Sequence, residues 1–221
     1  MKYRIENLSI NCGKDRNNFS KHWGLISKCI KNLYSGWCFI RGGDRLIKDS
    51  EEVVVLVDKF DKEIGTCEKL KAHVEGRLHR AFSVFVFNSK RELLLQRRAF
   101  GKYHSSGLWS NTCCSHPRKS EKIEEAVHRR LLEELGFDCP IKKIFDFCYK
   151  AELDNGLYEH EYDHVFIGEY DGEPKPNPKE VDSWMWINLD ELLKKIKSSP
   201  EEFTYWFKYI INNIVNYLEN F

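Results

Sequence analysis

The sequence predicts an α+β fold in which a mixed sheet is flanked by helices and preceded by an N-terminal extension. Three observations predict it. β-type runs recur from Val53 onward, a four-residue apolar repeat marks one central helix between them, and residues 189–219 read as helix again. Residues 1–50 form the extension and 51–221 the catalytic domain in this reading.

Within the extension, Phe19, Trp23, Ile26, Ile30 and Leu33 recur at helical spacing, so an amphipathic helix is expected near 19–34, before the Gly-rich RGGDR at 41–45. VVVLVD at 53–58 reads as a strand and Asp61 to Gly65 as a turn. RAFSVFVFN at 80–88 and ELLLQRRA at 92–99 are β-type runs separated by Ser89-Lys90-Arg91, a hairpin. His73 and His79 are expected in a loop just before it. WSNTCCSHP follows at 109–117. From Glu121 to Leu135 the residues Ile123, Val127, Leu131 and Leu135 repeat every four, with Ser120 placed to cap the start and Gly136 the end. Strands at 141–151 and 158–168 join across Asp154-Asn155-Gly156. After the PKPNP loop come a strand near 181–187 and helices at 189–197 and 200–219, the last opening on Pro200.

Bulk composition narrows the class. At 221 residues the chain suits one substantial core, and 42% hydrophobic with 31% charged residues is a globular balance. A net charge of +1 offers no global field for nucleic acid, so a bound anion must be held by local placement of cations. Charge is uneven: residues 1–50 carry ten Lys/Arg against four Asp/Glu. No apolar run is long enough to span a membrane and no secretory h-region opens the chain, so a cytoplasmic protein is expected, with organelle targeting through residues 1–50 as the variant. Eight cysteines without a CxxC pair are expected to be free thiols, and a monomer is the expected oligomeric state.

Chemistry-bearing residues are concentrated. Glu159 and Glu161 lie two apart in a strand, so both carboxylates leave one face beside Asp163, while His160 and His164 leave the other. A solvated surface row is the bland account of three such acids. With His73, His79 and His116, however, they make a donor set suited to zinc or manganese. His22, His104, His128, His160 and His164 are assigned no metal.

RRLLEELG at 129–136 follows Glu121 at a spacing that resembles the Nudix signature, with Ser115, Glu121, Arg129, Arg130, Leu131, Glu133, Glu134, Gly136 and Phe137 at the matching places. Two positions depart from it. Ser115 replaces a Gly and Arg130 replaces a Glu, and losing that acid argues against diphosphate hydrolysis. The fold implied is a Nudix-like mixed sheet.

NTCCSHP, Asn111 to Pro117, together with EKLKAH, RLHRAFSVFVFN, FCYKA and TYWF in this order, resembles the type I isopentenyl-diphosphate isomerases across about residues 51–210. That resemblance implies Cys114 as the catalytic thiol and Glu161 as its partner acid/base, with Tyr149 and Trp206 completing the catalytic set. It implies His73, His79, His116, Glu159 and Glu161 as ligands of one Mn²⁺ or Zn²⁺. Lys69, Arg98, Lys102 and Arg130, with Ser115, would bind the substrate, an isoprenoid diphosphate. Glu134 with the Cys114 carbonyl would hold a bridging Mg²⁺, Glu121 and Glu133 being weaker candidates.

The chemistry explains the residue types. Protonating an unactivated alkene makes a tertiary carbocation that water would quench, so the site must be dry and tolerate positive charge, which the indole of Trp206 can do. One proton enters and another leaves, so two acid/base groups must flank the substrate. Cys113 is expected on the opposite strand face, as packing. Two rivals share parts of the pattern: a Nudix pyrophosphohydrolase, and a binding module in which the His/Glu set is purely structural.

Overall fold

Runs that are apolar at every position need cover on both faces, and the two strands richest in Val and Phe have it. The structure is a computed structural model and describes residues 52–153 and 156–219. Its elements are β1 (Val53–Val57), β2 (Glu63–Glu68), α1 (Lys69–Glu75), β3 (His79–Phe87), β4 (Glu92–Arg98), β5 (Trp109–Ser110), β6 (Cys113–Ser115), α2 (Ile123–Leu135), β7 (Ile141–Glu152), β8 (Tyr158–Glu169), β9 (Val181–Asn188), α3 (Leu189–Ser198), a 3₁₀ turn (Pro200–Glu202) and α4 (Tyr205–Glu219). The expected helix near 19–34 lies outside the described residues. Among the described residues, no helix is long and apolar enough to cross a membrane.

β3 is the hub. It pairs antiparallel with β1, β6 and β4, and parallel with β8 from His79↔Glu161 to Phe87↔Glu169. β7 pairs antiparallel with β8, and β9 with β4, so the sheet is mixed. Side chains of one face, among them Phe85, Leu95, Phe147 and Val165, pack on Trp206, Phe207, Ile210 and Ile214 of α4. The other face, with Phe82, Val84, Leu94, Cys113 and Phe166, packs on Val127, Leu131 and Leu135 of α2. Helices therefore flank the sheet on both sides, as expected. The described cysteines, Cys67, Cys113, Cys114, Cys139 and Cys148, are all free thiols.

Four local expectations are corrected. The turn after β1 runs earlier than Asp61–Gly65, because Asp58 Oδ1 accepts from Phe60 N and Lys62 N; Ile64 and Gly65 already belong to β2. His73 lies in α1, not a loop, and His79 opens β3; α1 is capped by the Glu68 carboxylate and by left-handed Gly76, and seven residues are too few to show a period. Ser120 does not cap α2: it has φ +65°, and the Glu121 carboxylate instead accepts from Arg118 N and Arg129. The last helix is broken after Pro200–Glu202, where Thr204 N donates to Trp109 O, and α4 starts at Tyr205.

Candidate active site

Strand register assembles the acidic and imidazole groups. Glu159, Glu161 and Asp163 share a face of β8 and are only 4%, 8% and 1% exposed, so they are not the solvated row that spacing alone would allow. The parallel pairing sets Glu161 opposite His79, and β6 beside β3 brings in His116 one residue past its end. α1 contributes His73. His79 Nε2 is 3.2 Å from His116 Nε2, His116 Nε2 is 3.0 Å from Glu161 Oε1, and His73 Nε2 is 3.4 Å from Glu159 Oε2. As expected, His160 and His164 turn the other way, onto the Gly76 carbonyl and Asp61.

These residues fit a divalent cation. His73 Nδ1 donates to Lys69 O at 2.7 Å and His79 Nδ1 to Arg77 O at 2.8 Å; a carbonyl only accepts, so in the neutral ring, the form that binds a metal, each Nε2 carries a lone pair turned inward. His73 Nε2 and Glu159 Oε2 are buried without a well-aligned hydrogen bond. Ligand atoms of His73, His79, His116 and Glu161 lie within 4.8 Å of one another, and so do those of His73, His104 and Glu159. Inward-facing nitrogen lone pairs beside buried carboxylate oxygens are a donor set for zinc or manganese.

Burial sets the electrostatics. It raises Glu161 well above the carboxylate range, with Glu159 and Asp163 adding to the rise. It pushes Asp163 up to about 8, against the Ser83 hydroxyl that donates to it at 2.7 Å. On Glu159 the same desolvation is outweighed by His73, His104 and His79, which hold it low. Desolvation brings His79 down to about 4 and pushes the Cys114 thiol up to about 12, with Arg98 pulling the thiol back. Tyr149 is buried and its hydroxyl donates to Glu161 Oε2 at 2.7 Å; desolvation and then Glu161 hold it well above its usual value.

One cavity gathers the expected substrate and catalytic groups: Cys114, Ser115, His116, Tyr149, Glu159, Glu161 and Trp206 with Lys69, Arg98, Lys102, Arg130 and Glu134. His73 and His79 lie buried behind it. Cys114 packs on the α4 face of the sheet and Cys113 on the α2 face, as the strand period requires. Trp206 is fixed by its indole N–H, which donates to Ser110 Oγ at 3.0 Å, and its ring lies 5.3 Å from the Arg98 guanidinium. Arg130 Nη2 donates to Glu134 Oε1 at 2.7 Å, and Gln96 Nε2 donates to Glu134 Oε2 at 2.9 Å. Glu121 instead holds Arg129, outside the cavity lining.

Three residues were not read from the sequence. His104, assigned no metal, is buried with Nε2 3.7 Å from Glu159 Oε1 and its ring stacked 6.0 Å from that of His73. Glu52 pairs with Lys69 at 2.7 Å, and Glu180 pairs with Lys102 and Arg130. His104 and Glu180 sit in loops with no period to betray them. For His104 the legible signal was composition: a run of potential ligands and cations, KYHSS at 102–106, two residues before WSNTCC.

Comparison with known proteins agrees with this geometry. The NUDIX domain family matches residues 77–207. Isopentenyl-diphosphate Delta-isomerase 2 of Photorhabdus laumondii is 56% identical over 164 residues, 74% of this chain and 93% of that one. The protein of the same name from Aromatoleum aromaticum is 50% identical, over 75% of this chain and 88% of its own length. The chain belongs to the isopentenyl-diphosphate Delta-isomerase family. Within that family's NUDIX framework, solved structures support the fold. A Deinococcus radiodurans crystal structure covers 73% of this chain and 98% of its own at TM-score 0.63 and 20% identity, and a MutT protein from Methanosarcina mazei covers 63% and 94% at TM-score 0.53 and 20% identity. The isomerase-family assignment rests on the relatives and on a site in which Arg130 stands where the Nudix signature has an acid.

Proposed function

We propose that this chain interconverts isopentenyl diphosphate and dimethylallyl diphosphate, with Cys114 acting on one face of the alkene and Glu161 with Tyr149 on the other. One observation carries the reading: a thiol and a Tyr-linked carboxyl line the same cavity, beside an indole and a set of four basic side chains.

Lys69, Arg98, Lys102 and Arg130, with the Ser115 hydroxyl, bind the diphosphate, giving charge-assisted hydrogen bonds in a chain whose net charge is near zero. Glu161 delivers a proton to the terminal alkene carbon, and Tyr149, hydrogen-bonded to it, relays the replacement. Positive charge then sits on the tertiary carbon. The face of Trp206 stabilises it, an interaction worth about 2 kcal/mol once water is excluded. Cys114, in its thiolate form, which burial disfavours and the Arg98 guanidinium favours, takes a proton from the carbon on the diphosphate side, and the electrons of that C–H bond become the new double bond. The reverse reaction exchanges the two roles.

His73, His79, His116 and Glu161 would hold one manganese or zinc ion, with Glu159, whose oxygen gathers with His73 and His104, as the fifth ligand, and Glu134 with the Cys114 carbonyl would hold magnesium at the cavity wall. When bound, the first ion lends acidity to Glu161 and the second offsets the charge of the diphosphate.

The test is conversion of isopentenyl diphosphate in deuterated water. Dimethylallyl diphosphate carrying deuterium on a methyl group is the expected product. Release of phosphate with no isomerisation would instead make the chain a hydrolase.

A further inference from the structure

The proline-rich loop between β8 and β9 takes no part in the chemistry above, yet it is tied to the helix that carries Arg130. Lys175 N donates to Leu135 O at 2.7 Å and Asn177 N to Glu134 O at 2.9 Å, satisfying carbonyls at the end of α2. Gly136 permits this approach: its φ is +69°, and a Cβ there would lie 2.5 Å from Lys175 O. Pro174, Pro176 and Pro178 restrict the loop backbone further. Asn177 O in turn accepts from Glu180 N and Val181 N, each at 2.9 Å, and Glu180 O accepts from Ala99 N at 3.0 Å. The backbone of Glu180 is thereby held between the end of α2 and the end of β4.

Its side chain meets two cations that come from different elements. Glu180 Oε2 accepts from Arg130 Nη2 of α2 at 3.2 Å and pairs closely with Lys102 Nζ of the loop after β4. All three side chains are nearly buried, and all three line the cavity. Two adjacent cations repel, and a Lys side chain has rotamer freedom to lose. A shared carboxylate removes both difficulties.

We infer that Glu180 is a positioning residue for the diphosphate, holding Lys102 and Arg130 side by side and turned into the cavity before substrate arrives. The inference rests on the reading that those two cations bind the diphosphate. Arg130 keeps Glu133 and Glu134, each at 2.7 Å, when Glu180 is removed, so the loss falls chiefly on Lys102.

The experiment measures binding of inorganic diphosphate with Mg²⁺ by calorimetry, and KM and kcat for isopentenyl diphosphate, in the wild type, Glu180→Gln, Glu180→Asp, Lys102→Ala and the Glu180→Gln/Lys102→Ala double variant. Glu180→Gln should weaken diphosphate binding and raise KM about tenfold while kcat stays within about threefold. Glu180→Asp should fall between it and the wild type. In the Lys102→Ala background the Gln substitution should add little, a non-additivity that a purely structural carboxylate would not produce. Unchanged or tighter diphosphate binding in Glu180→Gln overturns the inference, since the carboxylate would then merely oppose the anion. If Glu180→Gln fails to fold, Glu180→Asp decides: wild-type affinity overturns the inference, and weakened affinity with kcat retained supports it. A wild type that turns over isopentenyl diphosphate while the Glu180 variants match it overturns the inference and leaves the proposed function standing, whereas a wild type that neither binds diphosphate nor turns over isopentenyl diphosphate overturns both.

Discussion

Adjacent cysteines face opposite sides of the sheet within a single dipeptide. Cys114 faces the cavity and Cys113 the α2 side of the sheet, so the two thiols differ in access and not in local sequence. Cys114→Ala should lower kcat by about 10³-fold, because a positioned acid/base group contributes ~10²–10⁴, with little change in melting temperature. Cys113→Ala should do the reverse, keeping most activity and costing about 1 kcal/mol of stability for the lost sulfur contacts. Steady-state kinetics and thermal melts on the pair check both, and wild-type turnover by Cys114→Ala would defeat the assignment. At this scale the sequence was informative where the motif is contiguous, as in Cys114 to His116, or where spacing is two, as in Glu159 and Glu161. It was silent on His104, whose proximity to Glu159 depends on how the loop after β4 folds back, and no local pattern encodes that.

Elements were legible in proportion to their length and to the strength of their punctuation. α2 shows four apolar residues in register and a Gly stop, and it forms as expected; β7 and β8 pair antiparallel as expected, while Asp154 and Asn155 of the expected turn lie outside the described residues. α1 did not declare itself because two turns of helix are held by caps and by packing on β1 and β2, not by a period. The Gly that ends α2 carries a further demand, since it is both left-handed and in the path of the proline-rich loop. Gly136→Ala should cost about 1–2 kcal/mol from the backbone conformation alone, and more from the contact with Lys175, seen as a lower midpoint in urea. The turn after β1 is pH-sensitive. Burial raises Asp61, but the His164 imidazole at 3.0 Å and the Arg80 guanidinium hydrogen bond outweigh it and hold the carboxyl below its usual value of 3.8. A depressed folded value means the pairing stabilises the fold fully above about pH 4 and is lost as pH falls through the lowered value. Asp61→Asn, which tolerates the left-handed turn, should therefore be less stable at pH 7 and show a shallower acid limb when melting temperature is followed against pH. Equal acid limbs would remove Asp61 from the account.

At the scale of the whole molecule, three buried carboxyl groups stand in one row beside three imidazoles, where burial and their mutual repulsion raise Glu161 and Asp163, and a shared cation would favour the charged form of the ligating acids. Metal removal should accordingly act on stability as well as on turnover. Chelator-treated protein is expected to melt about 5–10 °C below protein with manganese or zinc at ~100 times its dissociation constant, and His79→Ala should abolish that difference. Scanning calorimetry with and without metal measures it, and an unchanged midpoint would make the cluster indifferent to ions. The layer order of the fold was readable in advance because the faces of its strands and helices are periodic; the hub role of β3 was not, because pairing partners distant in sequence leave no periodic trace. That hub has a bearing on synthesis. β3 and its parallel neighbour β8 are separated by roughly eighty residues, and the first imidazole of the donor set precedes the last carboxylate by roughly ninety, so a chain emerging from the ribosome carries an incomplete chelate for about two fifths of its length. Loading of an ion at this set would thus be a late event, open only once β8 has been made and has found its place beside β3.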